Sequence, residues 1–444
     1  MTTQFRPERI LERAMSRCEA AEVYHRAATR TPVEFENNRL KQVRTATSEG
    51  LAVRVIVNGR LGFSSTTKPG DEDDLLGRAI ASAAYGDESH FSFPGPGEAP
   101  GGDRRFHHDA VEALTVERMV DIGQDFVSRV VEYEPAALAG AGIDKESREV
   151  RLINSSGADG TYRRTGFGVG FNIELVEGEN LLSVWEYQRA SDYPEAAIGL
   201  LKDSAIDHLR LGRVNVPLAA GTYPVILGPH AAADLLGPFR ECLNGEAVAR
   251  GISPWSEKLG ESLFSNQVTL TDDPLLPGGP LSTPFDDEGS PTRPHHLVKA
   301  GVLQDFYLDL KSAASLGKKS TGNGARRGLE APPSPSLSNL VLAPGTRPLD
   351  EFVRGLRRGL FVVQLMGAWA GNLLAGEVTG NVILGFLVED GEIRGRVKDC
   401  MLSVNAFEAL GSRLRGLSQE TGWSDNCRLP FVILDDVSIS TRAG

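Results

Sequence analysis

The chain has 444 residues, 41% of them hydrophobic and 24% charged, a balance that buries a substantial core and excludes a disordered polypeptide. No run approaches the roughly 20 apolar residues that span a bilayer, and the stretch from Met1 to Met15 carries Arg and Glu where a signal peptide needs an apolar run, so a cytoplasmic protein without membrane contact is expected. Lys and Arg number 47 against 59 Asp and Glu, a formal charge of −12 that opposes nonspecific nucleic-acid binding, and four cysteines without CxxC spacing exclude a zinc ribbon or disulfide scaffold.

In chain order, residues 5–18 read as an amphipathic helix with Ile10, Leu11 and Met15 on its apolar side. A meander follows at Glu22–Arg26, Val33–Glu36, Leu40–Thr45 and Leu51–Val57, with Asn37-Asn38 and Asn58-Gly59 as turn dipeptides. Asp71–Tyr85 is a helix with four acids at its positive N-terminal end, and Phe93–Gly102 is a proline- and glycine-rich connection. The pattern then recurs, with a helix at Leu114–Val131 and strands at Leu138–Asp144, Glu149–Asn154, Gly166–Leu175 and Leu182–Tyr187. Glu195–Leu211 is a third helix. Helix plus antiparallel meander, twice, implies a duplicated α+β unit over residues 1–215.

The rest, residues 216–444, reads as a second, mostly antiparallel β domain with long loops. Tyr223–Leu227 is a short buried strand and His230–Val248 a helix. Glycine- and proline-rich loops run from about Asp272 to Pro335, interrupted by a strand-like Leu303–Asp309; loops of that length are usually functional or disordered. Strands return at Phe361–Met366, Val382–Glu389 and Glu392–Lys398, with Val404–Leu414 as a helix and Phe431–Ile439 as the closing strand. The class is α+β.

Within Asp272–Gly328 stand Asp273-Pro274, Phe285-Asp286-Asp287-Glu288-Gly289, Gly301-Val302-Leu303, Tyr307-Leu308-Asp309, Ser315-Leu316-Gly317 and Ser320-Thr321-Gly322-Asn323. In that order and spacing, this set resembles the TldD/PmbA family. The Val33–Thr66 meander, Leu365-Met366-Gly367 and the Gly385–Gly391 hairpin extend the resemblance over nearly the whole chain. It implies a two-domain α+β protein. The family's catalytic, TldD-like type carries an HExxxH helix whose histidines bind zinc with a further ligand from the C-terminal domain, and resembles a metallopeptidase acting on unfolded peptides. The noncatalytic, PmbA/TldE-like type pairs with it as a heterodimer. The family's label as a modulator of DNA gyrase gains no support, as direct DNA binding, from the charge of this chain.

Zinc-dependent hydrolysis needs about three protein ligands, an open position for water and a general base. The family places its zinc helix directly after the strand that is here Tyr223–Leu227, yet no HExxxH occurs in the chain. With Leu235-Leu236 on the family's leucines, Gly237 falls at the first His, Pro238 at the Glu and Cys242 near the second His. Proline is no base and lacks an N–H for the helix. No metal or cofactor is expected in this chain, zinc being left to a TldD-like partner. His230 and Asp234, four apart on one helical face, and the adjacent His295-His296 are the other ligand candidates; the former reads better as a helix-start His beside a surface Asp, the latter as loop residues. His90, His107 and His108 read as solvated, His25 and His208 as structural.

Lys318-Lys319-Ser320-Thr321-Gly322 is no phosphate loop, because Ser312 stands where the P-loop needs its first glycine. It reads as a loop lining a peptide groove, with Lys319, Thr321 and Asn323 offering donors to carbonyls; a purely structural turn shaped by Gly317, Gly322 and Gly324 is the alternative. Asp286 and Glu288 are the acidic groove candidates, with loop architecture or partner contact ahead of catalysis. No GxSxG occurs, and Cys242 reads as a small buried apolar residue. The expected function is a noncatalytic subunit that binds a TldD-like partner and unfolded peptide. A peptidase with a displaced metal site, or a homodimeric peptide-binding or regulatory module, are the alternatives.

Overall fold

A computed structural model describes residues 5–96 and 106–441; residues 97–102 of the predicted connection lie outside this range. The first meander forms β1 (Ala20–Glu36), β2 (Arg39–Val43), β3 (Ala46–Val57) and β4 (Arg60–Thr66). Asn37, Asn38 and Asn58 have positive φ, as such tight hairpin turns require. The two strands expected at Glu22–Arg26 and Val33–Glu36 are one. The polar stretch between them pairs on both sides, with β3 as far as Arg30 and with β5 (Leu138–Asn154) throughout. Pro32 sits past the last β3 partner and before the first β2 partner, where its missing N–H breaks no ladder. β5 likewise fuses two expected strands, and β6 (Asp159–Glu177) and β7 (Asn180–Ala190) complete the sheet.

The order β4-β3-β1-β5-β6-β7 makes the duplication visible. Along this order each unit contributes three strands outward from a central antiparallel β1–β5 pair, and β2 adds a seventh strand, paired with β1 off the path. Helices α1 (Pro7–Met15) and α2 (Glu72–Ala83) bury Ile10, Ala14, Leu75, Leu76 and Ala79 against Val23, Leu51, Val53 and Val55 of the first unit. The short α3 (Asp109–Glu112) precedes α4 (Val116–Tyr133), which with α5 (Glu195–Gly212) covers Ile143, Val169, Phe171 and Val184 of the second. That core also takes in Val363, Leu384 and Phe386 from the second sheet, so the two sheets share apolar packing.

The second sheet comprises β8 (Gly221–Leu227), β9 (Leu270–Asp272), β10 (His295–Lys299), β11 (Val302–Leu303), β14 (Leu340–Leu342), β15 (Arg358–Met366), β16 (Glu377–Glu389), β17 (Glu392–Arg396), β18 (Cys400–Asn405), β19 (Leu414–Ser424) and β20 (Cys427–Thr441), with β12 (Gly324–Ala325) and β13 (Ser334–Pro335) forming a separate ribbon. β20 pairs with both β18 and β8, so the pairing β20-β18-β16-β15-β8 returns on itself. The expected helix at Val404–Leu414 is instead strand, one turn of helix, then strand. Val404 is buried in phase with Cys400 and Leu402 on β18, and the Asn405 side chain caps the turn at Phe407 and Glu408. The helix expected over His230–Val248 is three pieces, α6 (Pro229–Leu235), α7 (Gly237–Leu243) and α8 (Gly245–Ala249). Pro238 breaks the first junction, and Asn244, extended and capping Glu246, makes the second. Leu303–Asp309 is strand only at its start, with Tyr307 bridging to Asn244 and α9 (Leu310–Ser315) following. His295 and His296 lie on β10 rather than in a loop. Among the described residues no helix is long and apolar enough to cross a membrane.

Candidate functional site

The acidic run Asp286-Asp287-Glu288 is folded inward, with Asp286 7% and Glu288 1% exposed. Carboxylates in that position need donors, and the turn supplies them. Asp286 accepts the backbone N–H of Glu288 (3.0 Å), Ser290 (2.9 Å) and Gly324 (2.8 Å). Asp287 accepts from the Tyr24 hydroxyl (3.0 Å) and the Arg326 backbone N–H (2.8 Å). Glu288 accepts from the Leu310 N–H and from the Arg54 guanidinium, each at 2.7 Å. Arg54, on β3, also donates two bonds to Glu22 on β1 (3.0 and 2.6 Å), and Glu22 takes a further bond from Arg326 (2.8 Å). Two carboxylates and two guanidiniums thus alternate across the junction between the first sheet and the long loops. Burial works against the Arg54 cation, but Glu22 and Glu288 more than offset it and raise its pKa. Burial also pushes the Glu288 carboxyl up to about 7 against the pull of Arg54.

The neighbouring polar residues are equally committed. The Thr321 hydroxyl meets the Leu308 N–H (2.7 Å) and donates to Asn323 Oδ1 (2.7 Å). Asn323 Nδ2 donates to Asp272 (2.6 Å) and to the Ser336 carbonyl (2.9 Å). Burial pushes the Asp272 carboxyl up to about 7 despite these donors. Asp309 caps α9 through Ser312 in a reciprocal capping box. Of the five groove candidates, Asp286 and Asn323 line a cavity of about 300 Å³ together with Arg148, Tyr162, Arg164 and Arg326. Thr321 and Glu288 are buried behind it, and Lys319 is exposed on the turn after α9.

The zinc helix can be tested on donor chemistry. On α7, Pro238, Phe239, Cys242 and Leu243 are buried, and Phe239 packs edge-on against Trp255 and Phe407. Burial pushes the Cys242 thiol up to about 12, away from the thiolate a metal needs. One polar group of α7 points to the closing strand. The Arg240 guanidinium lies 2.5 Å from Cys427 Sγ and 3.3 Å from Asn426 Oδ1. A fixed cation beside Cys427 opposes a divalent ion bound in its neighbourhood. These residues do not fit zinc. His230 does not turn to Asp234 either; its Nδ1 meets Ser424 Oγ at 3.2 Å. Among the described residues, His107, Asp109 and Glu112 are the one group of three whose ligand atoms converge, and both acids are exposed.

Sequence reading missed a second cluster. Glu186 on β7 is buried between His208 of α5 (2.8 Å) and His230 of α6 (3.6 Å), with the Ser204 hydroxyl donating at 3.1 Å. Burial opposes the charge, but the two imidazoles hold the carboxyl down at about 2. The cluster borders a cleft of about 540 Å³ walled by Leu200, Leu201, Phe361, Val363 and Phe431. Each histidine is visible in the sequence. Their meeting on one carboxylate depends on how α5 and α6 pack, which local pattern does not carry.

This arrangement, with a duplicated helix–meander sheet fastened through buried acids to the long loops of a closed, mostly antiparallel sheet, is that of a metallopeptidase-related α+β scaffold. Residues 220–441 match the family model described as PmbA/TldA metallopeptidase C-terminal domain, and residues 21–84 the one described as PmbA/TldA metallopeptidase domain 1. The chain belongs to the PmbA/TldD family. It is 29% identical over 428 residues to a protein of Methanothermobacter thermautotrophicus named metalloprotease, covering 90% of this chain and 88% of that one. It is 27% identical over 380 residues to an uncharacterised protein of Methanocaldococcus jannaschii, covering 85% and 86%. The crystal structure of TldE from Thermococcus kodakarensis superposes with a TM-score of 0.87 at 23% identity, covering 98% of this chain and 99% of that one, a likeness of fold.

Proposed function

We propose that this chain is a noncatalytic subunit that pairs, in the cytoplasm, with a zinc-bearing TldD-like protein of the same family and helps it process or degrade small unfolded peptides. The observation that carries this reading is α7. Pro238 stands where a general base is needed, its neighbours are spent on the apolar core, and Arg240 places a permanent cation against Cys427. A subunit without hydrolytic chemistry still contributes shape. The cavity bordered by Asp286 and Asn323 gives peptide a place to lie while the partner supplies zinc and water, and residues 1–215 and 216–444 act as two domains around it.

The test is co-expression with a TldD-like protein from the same cell, followed by co-purification and a peptidase assay with and without chelator. Activity is expected only in the pair and only without chelator. Cleavage by the pure chain, abolished by chelator, would overturn the reading in favour of a peptidase with a displaced metal. The convergence of His107, Asp109 and Glu112 is the observation that favours this second reading. A chain that forms only homodimers and ignores the TldD-like protein would point to a stand-alone peptide-binding or regulatory module.

A further inference from the structure

Cross-strand partners on an antiparallel pair lie close together, and like charges placed directly opposite destabilise it. Arg148 on β5 and Arg164 on β6 are such partners. Arg148 is compensated by Glu146, which its Nε and a terminal nitrogen approach at 2.9 and 2.7 Å. Arg164 is half-buried and has no hydrogen-bonding or ion-pair partner among the described residues. Both line the 300 Å³ cavity, whose mouth also carries the exposed Arg327 and whose wall includes Arg326. Arg326 gives one terminal nitrogen to Glu22, while its buried Nε has no partner. The two acids on the cavity wall accept no bond from these guanidiniums, although the charge of Asp287 favours both Arg164 and Arg326. Asp286 is filled by three backbone N–H groups, and Asp287 by Tyr24 and the Arg326 backbone. What remains uncommitted around the cavity is therefore guanidinium, set beside apolar surface from Phe285, Leu281, Pro335 and Leu337.

We propose that this cavity is a carboxylate-binding subsite for peptide, with Arg164 as its principal cation and Arg327 at the rim. A planar guanidinium fork matches a planar carboxylate through two parallel bonds, and the apolar wall suits the side chain that accompanies it. The carboxylate comes either from a free C-terminus or from an acidic side chain. The inference deepens the peptide-handling reading above, but it concerns binding by this chain alone and is tested without the partner.

Fluorescence anisotropy of the full chain with three labelled octapeptides separates the sources: one with a free C-terminus, its C-terminal amide, and an amide carrying one internal Glu. Preference for the first over the second identifies the terminal carboxylate. Preference for the third over the second identifies the side chain. In either case Arg164→Met should weaken the preferred peptide by at least roughly tenfold, the worth of one charge-assisted bidentate contact. Denaturant unfolding of the same variant guards against misfolding. Removing an unpaired cation opposite Arg148 should leave the midpoint unchanged or raise it. Arg164→Lys should retain part of the affinity. Equal affinity for all three peptides, an unchanged affinity in Arg164→Met, or a lowered unfolding midpoint in that variant would each overturn the proposal. So would competition by inorganic phosphate with no preference among the peptides. Failure here with zinc-dependent cleavage by the pair intact would remove this subsite and leave the noncatalytic-subunit reading standing.

Discussion

Arg54→Met is the sharpest probe of how the long loops are held. It removes three charge-assisted hydrogen bonds, at 3.0, 2.6 and 2.7 Å, from a side chain 2% exposed. Glu22 keeps Arg326 at 2.8 Å, whereas Glu288 keeps only the Leu310 N–H. Breaking a buried ion pair from one side costs about 3–5 kcal/mol, because the remaining charge is stranded. The loss should depend on pH with a defined sign. The Glu288 carboxyl sits near 7 in the folded protein against an ordinary 4.5, and removing Arg54 pushes it further up. A group raised on folding contributes stability that is complete below its unfolded value and is lost as pH rises through the folded one. Urea unfolding followed by tryptophan fluorescence should therefore show a larger penalty at roughly pH 8.5 than at roughly pH 5.5. Adding Glu288→Gln should recover about 1–3 kcal/mol at the higher pH and little at the lower, since the amide needs no countercharge. A cost below about 1 kcal/mol at the higher pH, or no rescue by the second substitution, would refute the idea that this cluster fastens the loop to the first sheet.

Glu186→Gln addresses the histidine cluster. The carboxyl is held at about 2 against an ordinary 4.5, so its stabilisation is present above the unfolded value and is lost as pH falls through the folded one. The variant should lose up to about 3 kcal/mol at neutral pH and show a flatter acid limb in pH-dependent melts. Asp272→Asn places an amide against the Asn323 amide or the Ser338 N–H and should cost about 1–3 kcal/mol by urea unfolding at neutral pH. Because the Asp272 carboxyl lies at about 7, above its unfolded 3.8, wild-type stability should rise as pH falls between those values, and the variant should lack that slope. Gly237→His, Pro238→Glu and Cys242→His together should bind zinc weakly in an equilibrium titration, and adding Arg240→Ala should tighten binding by at least roughly tenfold by removing the fixed cation. Equal affinities with and without Arg240 would show that its charge does not reach the metal position.

Much of the first sheet was legible, because its strands alternate and its hairpins carry Asn at positive φ. What escaped was continuity. Lys145 to Arg148 look like a loop between two strands, yet they pair with β1 and β6 on both sides, and only the neighbours reveal this. The break in the helix after His230 was half visible. Pro238 announced the lost general base, but the same residue also divides the helix, a consequence the apolar spacing of the segment concealed. The acidic loop was recognisable as a motif, while its partners were not. Arg54 and Glu22 alternate within strands, where a charge ordinarily faces water, and Glu288 lies 234 residues from Arg54 along the chain. No local pattern encodes a pair at that separation.

The way these charges are used bears on why a scaffold without a zinc helix keeps such a loop in place. A buried ion cluster seldom adds net stability over an apolar contact of the same volume, but it tolerates few alternative placements, since any slip strands a charge. Glu22, Arg54, Glu288 and Arg326 therefore act as a registration device between the first sheet and the Asp272–Pro335 region rather than as a source of raw stability. What they register is the wall of the Arg164 cavity. Arg326 belongs to both, with a terminal nitrogen on Glu22 and a place among the residues lining the cavity, and Asp286 anchors Gly324 at the cavity's edge. Displacing the loop by a side chain's width would bury Arg164 without its opening or expose the clamp to water. If Arg164 takes a peptide carboxylate as proposed, the clamp fixes where that guanidinium stands, and loosening the clamp by Arg54→Met should weaken carboxylate binding even though Arg54 does not line the cavity.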